Sequence, residues 1–215
     1  MNSSSLLMHF YDALRASLGP SNWWPGDTPF EICVGAVLTQ NTNWSNVQKA
    51  IGNLKTRDLL YPEKMASLDD ELLAELIRPS GYFRIKARRL KNLLDFLRLE
   101  CAYDLSALCY MDLQHLRDKL LQVKGIGPET ADSILLYALE KPSFVVDAYT
   151  RRILNRHLLV HEDIDYHELR DFFMDRLPED VAMYNEYHAL LVRTGKEWCR
   201  KHNPRCDECP LGKYL

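Results

Sequence analysis

The sequence contains no apolar run long enough to cross a membrane. A membrane-spanning helix needs about 20 mostly apolar residues in succession, and every apolar run in this chain of 215 residues is shorter. The first residues also lack the basic region and the cleavage pattern of a secretory signal peptide. Since 47% of the residues are hydrophobic, the chain can still bury a substantial core. These features predict a soluble cytoplasmic protein that does not contact a membrane.

An excess of positive charge is also missing. The 27 Lys and Arg residues are outnumbered by 30 Asp and Glu residues, so the net charge is -3, which argues against a nonspecific binder of nucleic acid. Contact with DNA would therefore depend on local basic clusters, although such clusters are also typical of solvated helix faces. Three clusters occur: Arg84, Lys86, Arg88, Arg89 and Lys91; Arg151, Arg152 and Arg156; and Arg193, Lys196, Arg200, Lys201 and Arg205.

Convincing strand patterns, internal repeats and low-complexity tracts are absent as well. Apolar residues instead recur at the spacing of amphipathic helices. The sequence therefore predicts an all-α fold. The predicted helices span residues 6–18, 30–38, 44–60, 68–77, 90–99, 113–121, 130–139 and 150–157.

The most informative stretch begins with a turn that contains two glycines. Lys124, Gly125 and Gly127 precede Pro128, and an apolar helix follows directly. Glycine permits the positive φ values and the close backbone approach of a tight turn, while proline suits the first turn of a helix. Free N–H groups at a helix start attract anions. This pattern predicts a hairpin that binds phosphate.

An isolated acid follows the same helix. Residues 143–146 form a predicted extended segment that leads to Asp147, and a basic helix begins directly afterwards. An aspartate in this position is often simply the N-cap of the helix that follows. The pattern of residues alone favours that interpretation.

The hairpin and the acid together resemble a known signature. Gly125-Ile126-Gly127, then Thr130-Ala131, then Val146-Asp147 are similar in order and spacing to the helix-hairpin-helix and Gly/Pro…Asp signature of the endonuclease III superfamily of DNA glycosylases. A glycine pair alone would be weak, whereas the hairpin, the intervening helix and the terminal aspartate form a specific combination.

The resemblance implies an architecture and a partner. It implies two helical lobes with a DNA-binding cleft between them, one of which is a helical barrel formed by residues 31–141 that carries the hairpin. Residues 1–30 would join residues 142–215 in the second lobe. Damaged double-stranded DNA would be the partner, and we expect the protein to be a monomer.

Several residues would contact DNA if the resemblance holds. Lys124, Gly125 and Gly127 would bind a phosphate. Gln40, in the segment Leu-Thr-Gln-Asn-Thr, would enter the duplex beside the extruded base, and the alternative is an ordinary amide at a helix terminus. Tyr82 matches a protruding wedge residue that could stack on the orphaned partner base, and the alternative is a half-buried tyrosine.

The resemblance also assigns the chemistry. Cleavage of a glycosidic bond passes through a transition state that resembles an oxocarbenium ion, so an ionised carboxylate at Asp147 would stabilise the developing positive charge and orient the attacking water. Bifunctional members of the superfamily carry a lysine two residues after the second hairpin glycine, where this chain has Glu129. A glutamate cannot form a Schiff base. The chain therefore resembles the monofunctional branch.

Three further segments resemble the 3-methyladenine glycosylases of that branch. The resemblance places an alkylated, cationic purine near Trp24, Glu129 and Tyr149, where aromatic stacking and cation–π attraction would favour it. The adjacent tryptophans could instead anchor packing. The segments are Trp23-Trp24-Pro25, Arg78-Pro79-Ser80-Gly81 and Val146-Asp147-Ala148-Tyr149.

Three of the six cysteines lie close together near the C-terminus. Cys199, Cys206 and Cys209, followed by Pro and Leu, have spacing that suits zinc or an iron–sulfur cluster better than a disulfide network. The pattern is similar to the C-x6-C-x2-C-x5-C loop of endonuclease III, except that Leu215 stands where the fourth cysteine would be. The resemblance implies a [4Fe-4S] cluster whose fourth ligand is unresolved. A loop that packs without metal is the alternative.

Three functions are therefore considered. The favoured one is a monofunctional base-excision glycosylase that acts on alkylated purines such as 3-methyladenine. The second is a bifunctional glycosylase and lyase acting on oxidised pyrimidines, against which Glu129 argues. The third is a noncatalytic DNA-binding module, which would not require Asp147.

Overall fold

The computed structural model describes residues 3–21, 23 and 26–215, which form helices joined by turns and irregular segments. None of the described residues forms a strand, so the all-α prediction is confirmed. In this part of the chain, no helix is both long enough and apolar enough to span a membrane. The α-helices are α1 (Ser3–Leu18), α2 (Pro29–Leu38), α3 (Trp44–Thr56), α4 (Pro62–Ala66), α5 (Asp70–Leu76), α6 (Phe83–Cys101), α7 (Leu113–Gln122), α8 (Pro128–Ser133), α9 (Ala148–Arg156), α10 (Tyr166–Met174) and α11 (Val181–Glu197).

The observed helices differ from the predicted ones mainly at their ends. Helix α3 ends before residue 60 because Asp58 adopts a φ of 55° and the Leu59 N–H bonds back to the Leu54 carbonyl. The segment predicted as one helix over residues 130–139 divides into α8 and a π-helical turn, Ile134–Ala138. Helices α4, α10 and α11 carried no prediction.

The chain divides into two compact units. The barrel unit comprises Trp24–Lys141, and the terminal unit comprises Met1–Trp23 together with Pro142–Leu215. Residues 26–30, which the resemblance placed in the second lobe, group with the barrel unit. Local contacts explain this difference, because the Lys55 ammonium lies 2.6 Å from an Asp27 carboxylate oxygen and 2.7 Å from one of Glu31 on α2.

Helix α2 forms the centre of the barrel unit. Every residue from Phe30 to Leu38 is buried, as expected for a helix that is apolar around its whole circumference. The Thr28 side chain caps its N-terminus by accepting a hydrogen bond from the Glu31 N–H at 3.1 Å. Helices α3, α6 and α8 and the π-helical turn pack around it. A polar turn, residues 39–42, follows the last buried residue.

Helices α7 and α8 flank the glycine-containing turn. The buried Arg117 guanidinium on α7 bonds both carboxylate oxygens of the buried Asp132 on α8, at 2.8 and 3.0 Å. Paired, hydrogen-bonded charges of this kind are costly to separate inside a protein. The ion pair therefore fixes the geometry of the hairpin.

The terminal unit is built on α11, against which α1 and α9 pack. The Phe144 and Phe173 rings stack with centroids 4.1 Å apart, and the buried Tyr187 hydroxyl donates to the Leu7 carbonyl on α1 at 2.9 Å. Because Phe144 lies in the buried extended segment that precedes α9, this packing holds the start of α9 in place.

Candidate functional site

The two hairpin glycines have different structural roles. Gly125 has a φ of +96°, and a Cβ there would lie 2.5 Å from Arg89 Cγ, so a larger residue would be strained. Gly127 has a φ of -91° and is the N-cap of α8, and a Cβ there would meet nothing within 4 Å. Of the two properties for which glycine suits a tight turn, the positive φ is used at Gly125 and not at Gly127. Its open surroundings leave space for a ligand.

The hairpin turn is anchored from both sides. The Lys124 carbonyl accepts a hydrogen bond from the Asn92 side-chain amide on α6 at 2.7 Å, and Ile126 is buried between the two glycines. Lys124 itself is exposed. The backbone of the turn is thus held by α6 and by the core, while Lys124, Gly125 and Gly127 are exposed.

Gln40 and Glu129 lie together although they are far apart in the sequence. The Gln40 side-chain amide donates to a Glu129 carboxylate oxygen at 3.4 Å, and both residues are half-buried. Gln40 stands in the polar turn after α2, where Asn41 has a φ of 55°. Glu129 stands in the first turn of α8. The polar tip of α2 and the hairpin therefore form one surface of the barrel unit.

Tyr82 protrudes from the barrel unit. It precedes α6 in a left-handed conformation, with φ 46° and ψ 32°, and 69% of the residue is exposed. Gly81 before it has a φ of +69°. The half-buried alternative considered for Tyr82 therefore does not hold.

Asp147 is the N-cap of α9, and its carboxylate is nearly buried. One oxygen, Oδ1, accepts hydrogen bonds from the Thr150 N–H at 2.7 Å and the Thr150 hydroxyl at 2.9 Å. The other, Oδ2, lies 3.7 Å from His188 Nε2 on α11. Burial alone would raise the pKa of Asp147, but the nearby His188 and the two Thr150 donors outweigh it, so that the pKa is lowered. The geometry thus favours the ionised carboxylate.

Of the three residues predicted to line a base pocket, two lie in different units of the chain. Glu129 belongs to the barrel unit and Tyr149 to the terminal unit, and Trp24 lies outside the described residues. The half-buried Tyr149 ring packs against α11, where a Cβ at Gly195 would lie 2.4 Å from it. The Arg152 guanidinium lies 5.1 Å from the ring centroid. The assignment of these residues to one pocket stays a prediction.

The C-terminal cysteines share one small pocket in the terminal unit. Cys199, Cys206 and Cys209 all line it, together with His157 and Leu215. Burial raises the pKa of the Cys209 thiol, and the nearby Cys199 and Cys206 raise it further.

The cysteine pocket meets the requirements of a cluster site only in part. Three thiols line a common space, and Gly212 permits the tight loop, since a Cβ there would lie 2.2 Å from the Cys206 carbonyl oxygen. Leu215 lies at the same pocket and offers no ligand atom. Among the described residues, no group of three or more His, Cys, Asp or Glu side chains is arranged as a ready metal site. The pocket therefore supplies three thiols without a fourth.

The sequence did not identify two residues that the structure shows to be important, one in each unit. His188 belongs to a segment that carried no helix prediction, and only the fold brings it to Asp147. Lys86, which belongs to the first of the three basic clusters of the sequence, is 2% exposed. Helical periodicity was the one available signal, since it places Lys86 on the same face as Leu90 and Leu93 of α6.

Comparison with known proteins identifies the class to which this chain belongs. The family described as HhH-GPD superfamily base excision DNA repair protein matches residues 34–179. This span includes the polar tip of α2, the hairpin and Asp147. The chain therefore belongs to the HhH-GPD superfamily, and it is a DNA glycosylase of base excision repair.

Individual relatives agree with this assignment. A protein of Methanocaldococcus jannaschii that is named as a DNA repair glycosylase is 45% identical over 215 residues, which cover 99% of this chain and 97% of the relative. Endonuclease III of Sulfolobus acidocaldarius is 27% identical over 186 residues, which cover 86% of this chain and 80% of the relative.

Solved structures share the fold. The Helicobacter pylori 3-methyladenine DNA glycosylase MagIII, bound to 1,N6-ethenoadenine, has a TM-score of 0.76 and 32% identity, covering 92% of this chain and 98% of that chain. A trapped covalent endonuclease III–DNA intermediate has a TM-score of 0.82 and 22% identity, with 99% and 98% coverage. At that identity the second comparison concerns the fold alone.

Proposed function

We propose that this DNA glycosylase is monofunctional, which means that it hydrolyses the glycosidic bond and leaves the abasic strand intact. The observation that carries the proposal is the carboxylate of Glu129 at the position of the Schiff-base lysine. Its hydrogen bond to Gln40 shows that it faces the same surface as the polar tip of α2. A carboxylate there supplies no amine for attack on the sugar.

Asp147 is the proposed catalytic residue. Its lowered pKa keeps it ionised at neutral pH, and a buried negative charge stabilises an oxocarbenium-like transition state more strongly than an exposed one. Capping uses Oδ1, whereas Oδ2 lies on the side of His188. One carboxylate can therefore cap α9 and support catalysis.

Gln40 and Tyr82 are the proposed residues that enter the duplex. A base must leave the stack before its glycosidic bond can be hydrolysed, and the exposed ring of Tyr82 can stack on a base that has lost its partner. Gln40 is held at the base-facing surface by Glu129. Damaged double-stranded DNA is the substrate in this proposal, and the protein acts as a monomer.

Alkylated purines are the proposed substrates. The MagIII structure, which is 32% identical, is described as a 3-methyladenine DNA glycosylase. Alkylated purines are cationic, so a carboxylate at Glu129 and aromatic rings at Tyr149 and Trp24 would favour them over neutral bases. The positive charge also weakens the glycosidic bond, so little help to the leaving base is needed.

A [4Fe-4S] cluster is proposed for the cysteine pocket. Cys199, Cys206 and Cys209 would hold it, and Leu215 would leave its fourth iron without a protein thiolate. When bound, such a cluster links the loop after α11 into one rigid structure. Base release by Asp147 does not depend on it in this proposal.

The test is a panel of duplexes that each carry one damaged base, analysed with and without alkali. We expect a free base from alkylated purines, a strand break only after alkali, and no covalent complex after borohydride reduction. Asp147→Asn should lower base release by at least about 100-fold while DNA binding is retained, because only the charge is lost.

A matched control separates catalysis from capping. Asp165 caps α10 in the same way, with Oδ1 accepting from the Glu168 N–H at 2.8 Å, so Asp165→Asn should retain full activity. A strong borohydride adduct would favour the bifunctional alternative. Full activity of Asp147→Asn would remove its catalytic role, and binding without base release from any lesion would favour the noncatalytic module.

A further inference from the structure

Lys86 is a buried cation in the barrel unit. It lies in the first turn of α6 and is 2% exposed. Its ammonium donates hydrogen bonds to the Leu38 carbonyl at 2.9 Å and to the Ser80 carbonyl at 2.6 Å. Among the described residues, no carboxylate forms an ion pair with it.

The two acceptor carbonyls stand at the bases of the two proposed DNA-entering segments. Leu38 is the last residue of α2, and Gln40 follows two residues later. Ser80 ends a short 3-10 turn, Arg78–Ser80, and Tyr82 follows two residues later. One ammonium thus joins the stem of the Gln40 turn to the stem of the Tyr82 turn.

Burial of this cation reduces the free energy of unfolding. Burial lowers the pKa of Lys86, and the neighbouring charge of Arg89 lowers it further, which reflects the free energy needed to keep a cation out of water. Carbonyls at a helix C-terminus partly offset this, because they carry partial negative charge. An apolar residue would fill the position at lower cost but could not bond both carbonyls.

We propose that Lys86 is a positioning residue that couples Gln40 to Tyr82, so that the two side chains enter the duplex together. The proposal rests on the DNA-entering roles given to these two residues above. Without the shared ammonium, each turn would keep its own conformation but their separation would vary. If both side chains enter the duplex, the distance between them must be fixed, because misplacement of either side chain destabilises the transition state.

Helix α6 contains a matched control. Lys91 also bonds backbone carbonyls, those of Met65, Ala66 and Leu68, and the Lys91–Ala66 distance is 2.9 Å. These carbonyls belong to the end of α4 and to the turn that follows it, which carry no proposed DNA contact. Lys91→Met therefore removes the same kind of bond without affecting the two DNA-entering turns.

The experiment is a double-mutant cycle on binding to a duplex that contains a stable abasic analogue, which needs no glycosylase activity. Gln40→Ala, Tyr82→Ala and their combination are compared in the wild-type, Lys86→Met and Lys91→Met backgrounds. Base extrusion is followed separately, in a second duplex that carries 2-aminopurine in place of the damaged base, by the fluorescence of that base. Thermal unfolding identifies folded variants, and Lys86→Gln replaces Lys86→Met if the latter does not fold.

We expect the effects of Gln40→Ala and Tyr82→Ala to be coupled by at least about threefold in the wild-type and Lys91→Met proteins. In the Lys86→Met protein the effects should be additive, and 2-aminopurine fluorescence should rise less on binding. Unchanged coupling in Lys86→Met would overturn the proposal while leaving both DNA contacts intact. If neither Gln40→Ala nor Tyr82→Ala weakens binding, the proposed contacts fail, and the role of Lys86 fails with them.

Discussion

The two oxygens of Asp147 have separate environments. Oδ1 receives both donors of Thr150, whereas Oδ2 faces His188 at 3.7 Å. An aspartate that only caps a helix needs one oxygen and no buried histidine. The presence of His188 is therefore a reason to treat this N-cap as more than a structural residue.

His188 should set the pH dependence of base release. The imidazole of His188 helps to lower the pKa of Asp147 against the effect of burial, so His188→Gln should raise that pKa. Activity requires the ionised form, and it should then be lost at a higher pH as the solution is acidified. We expect several-fold lower activity than wild type at about pH 5 and a smaller difference at about pH 8.

The pH profile of base release measures this effect, with His161→Gln as a control because His161 is an exposed histidine of the same unit. The same sign applies to stability. A lowered pKa for Asp147 stabilises the fold above the pKa of the unfolded chain, and the contribution is lost as the pH falls through the lower folded value. Parallel profiles for wild type and His188→Gln would show that His188 does not act through Asp147.

Sequence reasoning found the residues that carry a local pattern and missed those that depend on tertiary contacts. Asp147 follows an apolar segment and precedes a helix, and both features are visible in the chain. His188 and Lys86 carry no such mark. A buried lysine and an exposed one have the same letter in the sequence, and apart from the helical spacing of Lys86 only its tertiary contacts with the carbonyls of Leu38 and Ser80 distinguish it.

At the scale of the element, the two glycines of the hairpin have different structural roles. Gly125 is required by its positive φ and by its contact with Arg89, whereas Gly127 is not required by the protein. A substitution at Gly127 should therefore report on what binds there. This separation makes the phosphate assignment testable.

Gly127→Asp should weaken binding to all duplexes roughly tenfold, with or without damage, because it places negative charge where a phosphate would lie. Gly127→Ala should bind nearly as well as wild type, and both variants should keep the wild-type melting temperature, since the site is open. Fluorescence anisotropy with matched damaged and undamaged duplexes measures the effect. A loss confined to damaged DNA would contradict a phosphate-binding role.

The helix that follows the hairpin shows where element prediction reaches its limit. Apolar spacing indicated one helix over residues 130–139, but the chain changes from α8 to a π-helical turn at Ile134. All five residues of that turn are buried. A single π turn is too short for its different periodicity to be recognised in the sequence, and this turn packs against α2.

At the scale of the whole molecule, the class of fold was readable because helical periodicity and end signals agree. Helix α2 begins with Thr28 as N-cap and Pro29 at its first position, and the predicted start differs by one residue. The terminal unit was predicted less completely, since α10 and α11 carried no prediction. Its assembly depends on contacts between distant residues, such as that of Tyr187 with Leu7.

The three-cysteine pocket allows a test of what the terminal unit binds. Protein prepared without oxygen should be brown and contain about four iron atoms and matching labile sulfide per chain. Leu215→Cys should slow the loss of iron in air, since it offers a thiolate to the fourth iron at the same pocket. Leu99→Cys is the control, because it adds an equally exposed thiol in the barrel unit.

Cys206→Ser should lower the iron content, because Cys206 is one of the three thiols that line the pocket. Iron and sulfide analysis together with visible absorbance measures all four proteins, and thermal unfolding shows whether a lost cluster also loosens the terminal unit. Colourless wild-type protein with neither iron nor sulfide would rule out the cluster. Leu215→Cys that gains iron where wild type has none would show that the fourth thiolate, and not the loop, decides whether a cluster is held.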